Sequence, residues 1–457
     1  MGTNTKLNFD FEYLNSDAVL DRGIPAIGNR PAPIPISRFL GFPQAYQHTT
    51  IYKGSYTLEH RFSDNWQLRN ALFITSTQEG DRYANPGDLL DNRFLERGFI
   101  NDRFPTDNYD LQTEVTGKFT TGSIRHQSLI GLKLNRNTGP YIVKSADLPP
   151  IDIFNPDYNT PIPTGLPVSL NIQFSTNSLG LYLQDQISLL DNLKLLVGGR
   201  FDFSDQENKD VLAGTSTSQS DQAFSPRVGL VYQPIPPISL YASYSSSFVP
   251  TIGKSANGST FEPTRGTQYE VGIKADVSDR VSATLAAYQI TKTNVQTDDP
   301  NNPNFSIQVG EQRSRGVELD VTGEILIGWK IIGSYAYTNA EITKDNLFPV
   351  GNLFPNVAKN TASLWTTYEI LKGKLQGLGF GLGLYYVGDR EAELDNSVVL
   401  PSYFRTDAAL YYKRNNWKAA INIKNLFDEK YYETSQSRNI IYPGAPLTVL
   451  GTISWEF

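Results

Sequence analysis

Cysteine is missing from this chain of 457 residues, and histidine and methionine are scarce, with three copies and one. The lack of cysteine excludes disulfide bonds, thiolate metal ligands and cysteine nucleophiles. The histidines, His48, His60 and His126, lack the spacing of a metal site. No acidic side chain lies beside a nucleophile in a recognisable catalytic motif. The sequence therefore predicts neither a metal site nor an enzyme.

The chain also lacks a long apolar run and an excess of positive charge. A transmembrane helix needs roughly 18 consecutive apolar residues, and no segment provides them. The net charge of -7 argues against a nucleic-acid partner. Residues 1–10 (MGTNTKLNFD) contain no basic segment followed by an apolar one, so we find no signal peptide there. A membrane β-barrel is compatible with the missing apolar run, because only alternate residues of its strands face lipid.

Aromatic residues, in contrast, make up 12% of the chain. In residues 446–457 (PLTVLGTISWEF), side chains alternate between the two faces of a strand. One face carries Leu447, Val449, Gly451, Ile453, Trp455 and Phe457. An amphipathic strand that ends on an aromatic residue is typical of the closing strand of an outer-membrane barrel.

The same period of two recurs in about eighteen segments of roughly ten to fourteen residues, the strand length of membrane barrels. In residues 316–325, Val317 and Leu319 alternate with Glu318 and Asp320. Residues 268–277 and 417–423 show the same pattern. We expect the apolar side chains to face lipid and the charged ones to face the lumen. The chain is therefore predicted to be all-β, a transmembrane antiparallel β-barrel of the outer-membrane type.

The lengths of the connections support this topology, because short and long ones alternate. The short ones are residues 63–65, 121–123, 190–192, 234–237, 278–280 and 414–416. The long ones are residues 15–48, 79–109, 137–177, 205–222, 248–267, 293–313, 343–359, 389–402 and 428–446. Membrane barrels have short turns on the periplasmic side and long loops outside. Four of the five tryptophans, Trp66, Trp329, Trp417 and Trp455, fall near the predicted periplasmic rim, a favourable level for indole rings.

The glycine-rich residues 377–383 (GLGFGLG) could suggest a phosphate-binding loop. Their spacing is GxGxGxG and not GxGxxG, and no strand-then-helix context surrounds them. We interpret them as structural glycines on one face of a strand. The acidic pair Asp298 and Asp299 lacks the ligand spacing of an EF-hand, so a solvated loop is the favoured interpretation.

A series of motifs goes beyond these general features. They are LGLYLQDQISLL (179–190), GGRFDFS (198–204), FSPRVGLVYQP (224–234), LYASYSSSFV (240–249), FEPTRGTQYEVGIK (261–274), RGVEL (315–319), ASLWTTY (362–368), IKNLFDEKYY (423–432) and GAPLTVLGTISWEF (444–457). In this order the chain resembles the TonB-dependent siderophore receptors, in particular the ferrichrome-type branch. The resemblance extends over essentially the whole chain.

This resemblance implies a barrel of about 22 strands around a plug. We expect residues 1–457 to be a partial C-terminal barrel domain with about eighteen of those strands and no plug domain or TonB box. The implied function is that of a receptor in the Gram-negative outer membrane, which takes up ferric siderophores with energy from TonB. Iron would arrive as the siderophore complex, so no cofactor is expected. The implied partners are a ferric siderophore, outer-membrane lipid and the TonB complex, reached through the plug.

The strand alternation, the loop positions and the resemblance together suggest two sets of site residues. Facing the lumen, where they could bind a plug or be solvated, are Arg200, Asp202, Glu270, Asp276, Glu318 and Asp320. The candidate ligand contacts are Phe154, in the family-like stretch IFNP (153–156), and Tyr83 and Tyr442, which we choose from their loop positions.

Two other functions remain open at this point. A passive porin would fit because barrels of about 16–18 strands leave an aqueous channel, although the motif series argues against it. A soluble carbohydrate-binding β-sandwich or β-solenoid would need strands of about five or six residues and a polar outer face. Solubility without detergent would distinguish the second alternative from a membrane barrel.

Overall fold

The computed structural model describes residues 4–302 and 305–456, so that Phe457 of the closing strand lies outside the described residues. All regular elements of these residues are β-strands. They are β1 (Thr5–Ala18), β2 (Ala26–Ile27), β3 (Arg30–Pro31), β4 (Tyr46–Ser63), β5 (Trp66–Leu90), β6 (Phe94–Arg103), β7 (Thr106–Thr121), β8 (Ile124–Asp152), β9 (Leu170–Leu190), β10 (Leu193–Asp210), β11 (Thr215–Ile235), β12 (Ile238–Val249), β13 (Thr264–Ser278), β14 (Val281–Asp298), β15 (Ser306–Leu326), β16 (Trp329–Lys344), β17 (Asn360–Glu369), β18 (Leu378–Val387), β19 (Arg390–Glu391), β20 (Val399–Leu400), β21 (Tyr403–Arg414), β22 (Trp417–Lys424), β23 (Tyr432–Ser437), β24 (Ile440–Pro443) and β25 (Thr448–Trp455).

Nineteen strands form one large sheet, and the other six form three small hairpins in the loops. Strand β6 pairs with the distal parts of β5 and β8, so the sheet without β6 leaves eighteen wall strands. Successive wall strands pair antiparallel, as in the ladders β4–β5, β5–β7 and β7–β8. The prediction of an all-β barrel with about eighteen strands is confirmed. In the described residues, no helix is long and apolar enough to cross a membrane.

The strand registers give the wall two chemically different faces. Leu319 of β15 lies opposite Leu285 of β14 and Tyr335 of β16. The next position, Asp320, lies opposite Thr284 and Ser334. Apolar side chains therefore align across strands on one face and polar side chains on the other, which are the lipid and lumen faces of a membrane barrel.

The strands are longer than the sequence pattern indicated. Strands β5 and β8 contain 25 and 29 residues, and β9, β11 and β15 contain 21 each. Much of the predicted loops is therefore strand, and the connection predicted at residues 205–222 shrinks to 211–214. Outside the membrane, a strand needs no apolar face. Its backbone pairing therefore continues although apolar and polar residues no longer alternate in the sequence.

The six short connections predicted from the sequence all lie at one end of the wall, and tryptophans lie beside that end. Trp66, Trp329 and Trp417 are the first residues of β5, β16 and β22. Trp455 lies directly opposite Trp417, with 4.4 Å between the ring centroids. This end therefore corresponds to the periplasmic rim.

The glycines of residues 377–383 belong to β18 and its preceding turn, as we interpreted them. A Cβ on Gly379 would lie 2.2 Å from the Tyr411 ring, and one on Gly383 would lie 2.7 Å from the Trp365 ring. These aromatic side chains occupy the space that the glycines leave, so the glycines serve packing and not phosphate binding.

The alternation of faces can be tested with single cysteines, since the chain has none of its own. We expect a membrane-impermeant maleimide to label Asp320→Cys readily and Leu319→Cys at least tenfold more slowly, because lipid covers Leu319. Labelling rates in outer-membrane vesicles opened to the reagent would show this. Equal rates at the two positions would contradict the assignment of faces.

Candidate ligand-binding surface

The polar face of the wall carries hydrogen bonds and ion pairs, both within a strand and between neighbouring strands. The Arg200 Nε atom lies 2.7 Å from Asp202 Oδ1. The Tyr241 hydroxyl donates to Glu270 Oε1 at 2.7 Å, and Gln268 Nε2 donates to Glu270 Oε2 at 2.9 Å. These pairs satisfy charged groups that would be costly against hydrocarbon.

The remaining predicted lumen residues have simpler surroundings. Glu318 lies opposite Ala286 and Ala336, and Asp320 is exposed. Asp276 is also exposed, near the turn between β13 and β14. All six predicted residues lie on wall strands, but they are spread along the wall and do not form one cluster.

Sequence reasoning did not identify a further connected group on this face. The Tyr182 hydroxyl donates to Glu114 Oε1 at 2.9 Å and accepts from Gln112 Nε2 at 2.9 Å. Arg69 Nη1 lies 3.4 Å from Glu114 Oε2. The ring of Tyr182 covers Gly131, where a Cβ would lie only 2.2 Å away. A tyrosine opposite a glycine on the adjacent strand would have indicated this group. The sequence alone does not show that pair, because the strand register must be known first.

Above the wall, several of the long connections pack together. We name this layer the cap: residues 19–45, the β5–β6 hairpin with the distal end of β8, and residues 153–169, 388–402 and 425–447. Its centre is a cluster of buried apolar side chains drawn from all of these segments. They are Ile24, Ala26, Ala32, Ile34, Leu40, Leu95, Ile151, Ile153, Ala392, Val398, Leu400 and Ile441. The loops thus share a hydrophobic core and are not independent.

The three candidate contact residues all lie in the cap. Phe154 is 44% exposed and directly follows the buried Ile153. Tyr442 is half-buried and follows the buried Ile441. Tyr83 is half-buried, and the guanidinium carbon of Arg22 lies 5.4 Å from the centre of its ring. Phe154 and Tyr442 thus directly follow residues of the cap's apolar core, and Tyr83 lies beside Arg22 of the cap.

A pair of buried carboxyls lies in the β5–β6 hairpin. Asp81 and Asp102 are opposite each other in the strand register and are 9% and 7% exposed. Burial, together with the charges of Asp102 and Glu79, raises the pKa of Asp81 to about 6, against a hydrogen bond from Gln47 that lowers it. Burial also raises the pKa of Asp102. These two carboxyls therefore stay protonated at pH values at which an exposed carboxyl is ionised.

Each histidine contacts a side chain of a neighbouring strand. His126 Nδ1 lies 2.7 Å from Asp185 Oδ2, and His48 Nδ1 lies 2.6 Å from Asp17 Oδ1. His60 pairs with the Thr5 hydroxyl at 2.8 Å. Among the described residues, no group of three or more His, Cys, Asp or Glu side chains could hold a metal ion.

Comparison with known proteins agrees with this geometry. A family model described as TonB dependent receptor-like, beta-barrel matches residues 1–426. The metal-pseudopaline receptor of Pseudomonas aeruginosa is 34% identical over 99% of this chain and 66% of its own length. The ferrichrome outer membrane transporter and phage receptor of Escherichia coli is 31% identical over 88% of this chain and 58% of its own length. The chain thus spans less than two thirds of these curated relatives.

Solved structures show the same fold. The siderophore receptor PiuA of Acinetobacter baumannii superposes with a TM-score of 0.89 over 99% of this chain and 72% of that one, at 23% identity. The chain therefore is a barrel of the Gram-negative outer membrane and belongs to the TonB-dependent receptor-like β-barrel family, whose members are receptors and not enzymes.

Proposed function

We propose that this chain forms the barrel part of a TonB-energised outer-membrane receptor for ferric siderophores. The observation that carries the proposal is the family match over residues 1–426. The geometry agrees with it, because a polar wall lies beneath a cap that presents aromatic side chains. The relatives include a ferrichrome transporter and a metal-pseudopaline receptor, and these names support the proposal that the ligand is a metal chelate.

In this proposal the iron remains within its chelator, so the protein needs no metal ligands or cofactor of its own. The cap would contact the organic shell of the chelate through Tyr83, Phe154 and Tyr442. The polar face of the wall, including Arg200, Glu270 and Glu318, would face the plug through which TonB acts. Neither the passive porin nor the soluble carbohydrate-binding protein has the support of the family match.

The proposal predicts saturable binding of a ferric chelate to cells that display this chain. The host should lack its own siderophore receptors, and radiolabelled iron should be offered with hydroxamate, catecholate and pseudopaline-type chelators in turn. We expect one class to bind and its affinity to fall about tenfold or more when Tyr83, Phe154 and Tyr442 are changed together to alanine, a loss of about 1.4 kcal/mol.

The matched control is Tyr269→Ala, which removes an aromatic ring from the lipid face, where Tyr269 packs 5.1 Å from Tyr244. It should leave chelate binding unchanged. Absence of binding for all chelates, or uptake of unrelated small solutes without TonB, would contradict the proposal. The energised step is tested by measuring uptake of the bound chelate in cells with and without TonB.

A further inference from the structure

The cap contains a buried charge, Arg97, that forms no ion pair with the other described residues. Arg97 of β6 is 5% exposed, and none of the ion pairs within the described part of the chain includes it. Burial lowers the pKa of its guanidinium, although an arginine stays charged in proteins. A buried charge is costly unless hydrogen bonds satisfy it. The hydrogen bonds of Arg97 therefore show what the arginine does at this position.

The guanidinium donates to atoms that all lie outside β6, in other parts of the cap. Arg97 Nη1 lies 2.9 Å from Gly41 O and 3.3 Å from Leu40 O. On the other side, Nη2 lies 3.0 Å from Pro149 O and 3.3 Å from Thr160 Oγ1, and Nε lies 3.2 Å from Pro149 O. These partners are 52 to 63 residues away in the chain. A single side chain thus joins residues 19–45, the end of β8 and residues 153–169.

Arg97 also separates two apolar clusters. Leu95 and Phe99 flank it on the same face of β6 and are 1% and 2% exposed. Leu95 packs with the central cluster of the cap, and Phe99 packs with Phe42 and Leu148 in a second cluster. Apolar contacts alone are non-directional and would let the loops shift. The fixed fork of the guanidinium sets their relative position.

The segments that Arg97 joins also contact each other around Phe154. Arg38 Nη2 donates to Phe154 O at 3.2 Å, and the Tyr158 hydroxyl donates to Phe39 O at 2.9 Å. Arg97 holds the next two carbonyls of the same segment, at Leu40 and Gly41. The place of Phe154 therefore depends on the loop that Arg97 anchors.

We propose that Arg97 is a positioning residue of the receptor, whose hydrogen bonds to three cap segments hold Phe154 where the chelate meets it. This inference rests on the proposed function for the identity of the ligand, but the anchoring of the loops is measurable without any ligand. Arg97 acts through the loops and does not itself contact the ligand.

The test compares Arg97→Met, Arg97→Lys and the control Arg103→Met, which replaces an exposed arginine at the far end of the same strand. Hydrogen exchange of residues 36–45 and 153–165 is measured first, on the full chain in detergent, with peptides from β13 and β14 as the report on barrel folding. We expect Arg97→Met to speed exchange in both loops at least tenfold and leave β13 and β14 unchanged. Arg97→Lys should be intermediate, because an ammonium has three donors and no fork.

Affinity for the ferric chelate is measured second. We expect Arg97→Met to weaken binding about tenfold, Arg97→Lys to recover part of it and Arg103→Met to have no effect. Loop exchange equal to that of Arg103→Met would overturn the anchoring role. Faster exchange with unchanged affinity would overturn the positioning role. If the unmodified chain binds no ferric chelate, the proposed function fails, while the exchange result still decides whether Arg97 anchors the loops.

Discussion

Changing Gly377 to alanine should destabilise the barrel at its periplasmic end. Gly377 has φ of 86°, in the region that favours glycine. A Cβ there would lie 1.9 Å from the backbone oxygen of Lys413, which cannot move aside as a side-chain end could. The backbone conformation alone costs about 1–3 kcal/mol in a residue other than glycine, and the clash adds to it. We expect a lower urea midpoint for unfolding in detergent and a smaller SDS-resistant fraction.

Two other glycines separate the contributions. Gly351→Ala introduces the same side chain at φ of 95° with no atom within 4 Å, so it measures the backbone cost alone. Gly451→Ala lies in β25, has open space around the new Cβ and no positive φ, so it should be nearly neutral. The midpoints should fall in the order Gly451→Ala, Gly351→Ala, Gly377→Ala. Equal midpoints for the first and the last would show that the close approach to Lys413 is not a constraint.

Changing Asp81 to asparagine should stabilise the β5–β6 hairpin above about pH 6 and have little effect below about pH 4. Because burial raises the pKa of Asp81 above its usual value, the folded hairpin binds a proton more tightly than the unfolded one. Its stability is therefore complete at low pH and is lost as the pH rises through about 6. A shift of about two pH units corresponds to roughly 3 kcal/mol, and asparagine removes the charge that causes the loss.

Hydrogen exchange of the β6 amides at pH 5 and pH 8, corrected for the intrinsic exchange rate, would measure this effect. The control is Asp88→Asn, an exposed carboxyl in the same strand. Because Asp102 faces Asp81 and its pKa is also raised, Asp102→Asn should act in the same direction. Equal opening of the hairpin at the two pH values would contradict the shared burial of the two carboxyls. So would a stabilisation by Asp88→Asn as large as that by Asp81→Asn.

The period of two was enough to predict the wall. Leu319 and Asp320 lie on opposite faces as expected, because a lipid face and a lumen face impose different chemistry on successive residues. The alternation did not predict the strand ends outside the membrane, where no lipid face is required. Strand β8 continues to Asp152, far beyond the apolar alternation, because backbone pairing in water needs no apolar side chains.

The residues of the candidate site were harder to predict from the sequence than the wall. Family-like context and loop position selected Phe154, Tyr83 and Tyr442, and all three lie in the cap, but their role in binding stays a prediction. Arg97 could not be found in this way, because its partners are mostly backbone oxygens more than 50 residues distant. A carbonyl has no sequence signature. The contact between Tyr182 and Gly131 likewise can be predicted only when the register of β8 and β9 is known.

The length of β8 has a consequence for where recognition occurs. Its 29 residues extend over roughly 95 Å at about 3.3 Å per residue, whereas the hydrocarbon core is only about 30 Å thick. Even with a tilt of about 45°, the strand rises well above the lipid. Polysaccharide chains that crowd the cell surface would therefore surround the cap. Under the proposed function, the chelate would be recognised within that layer, at a distance from the bilayer that fluorescence quenching by lipid-bound probes could measure.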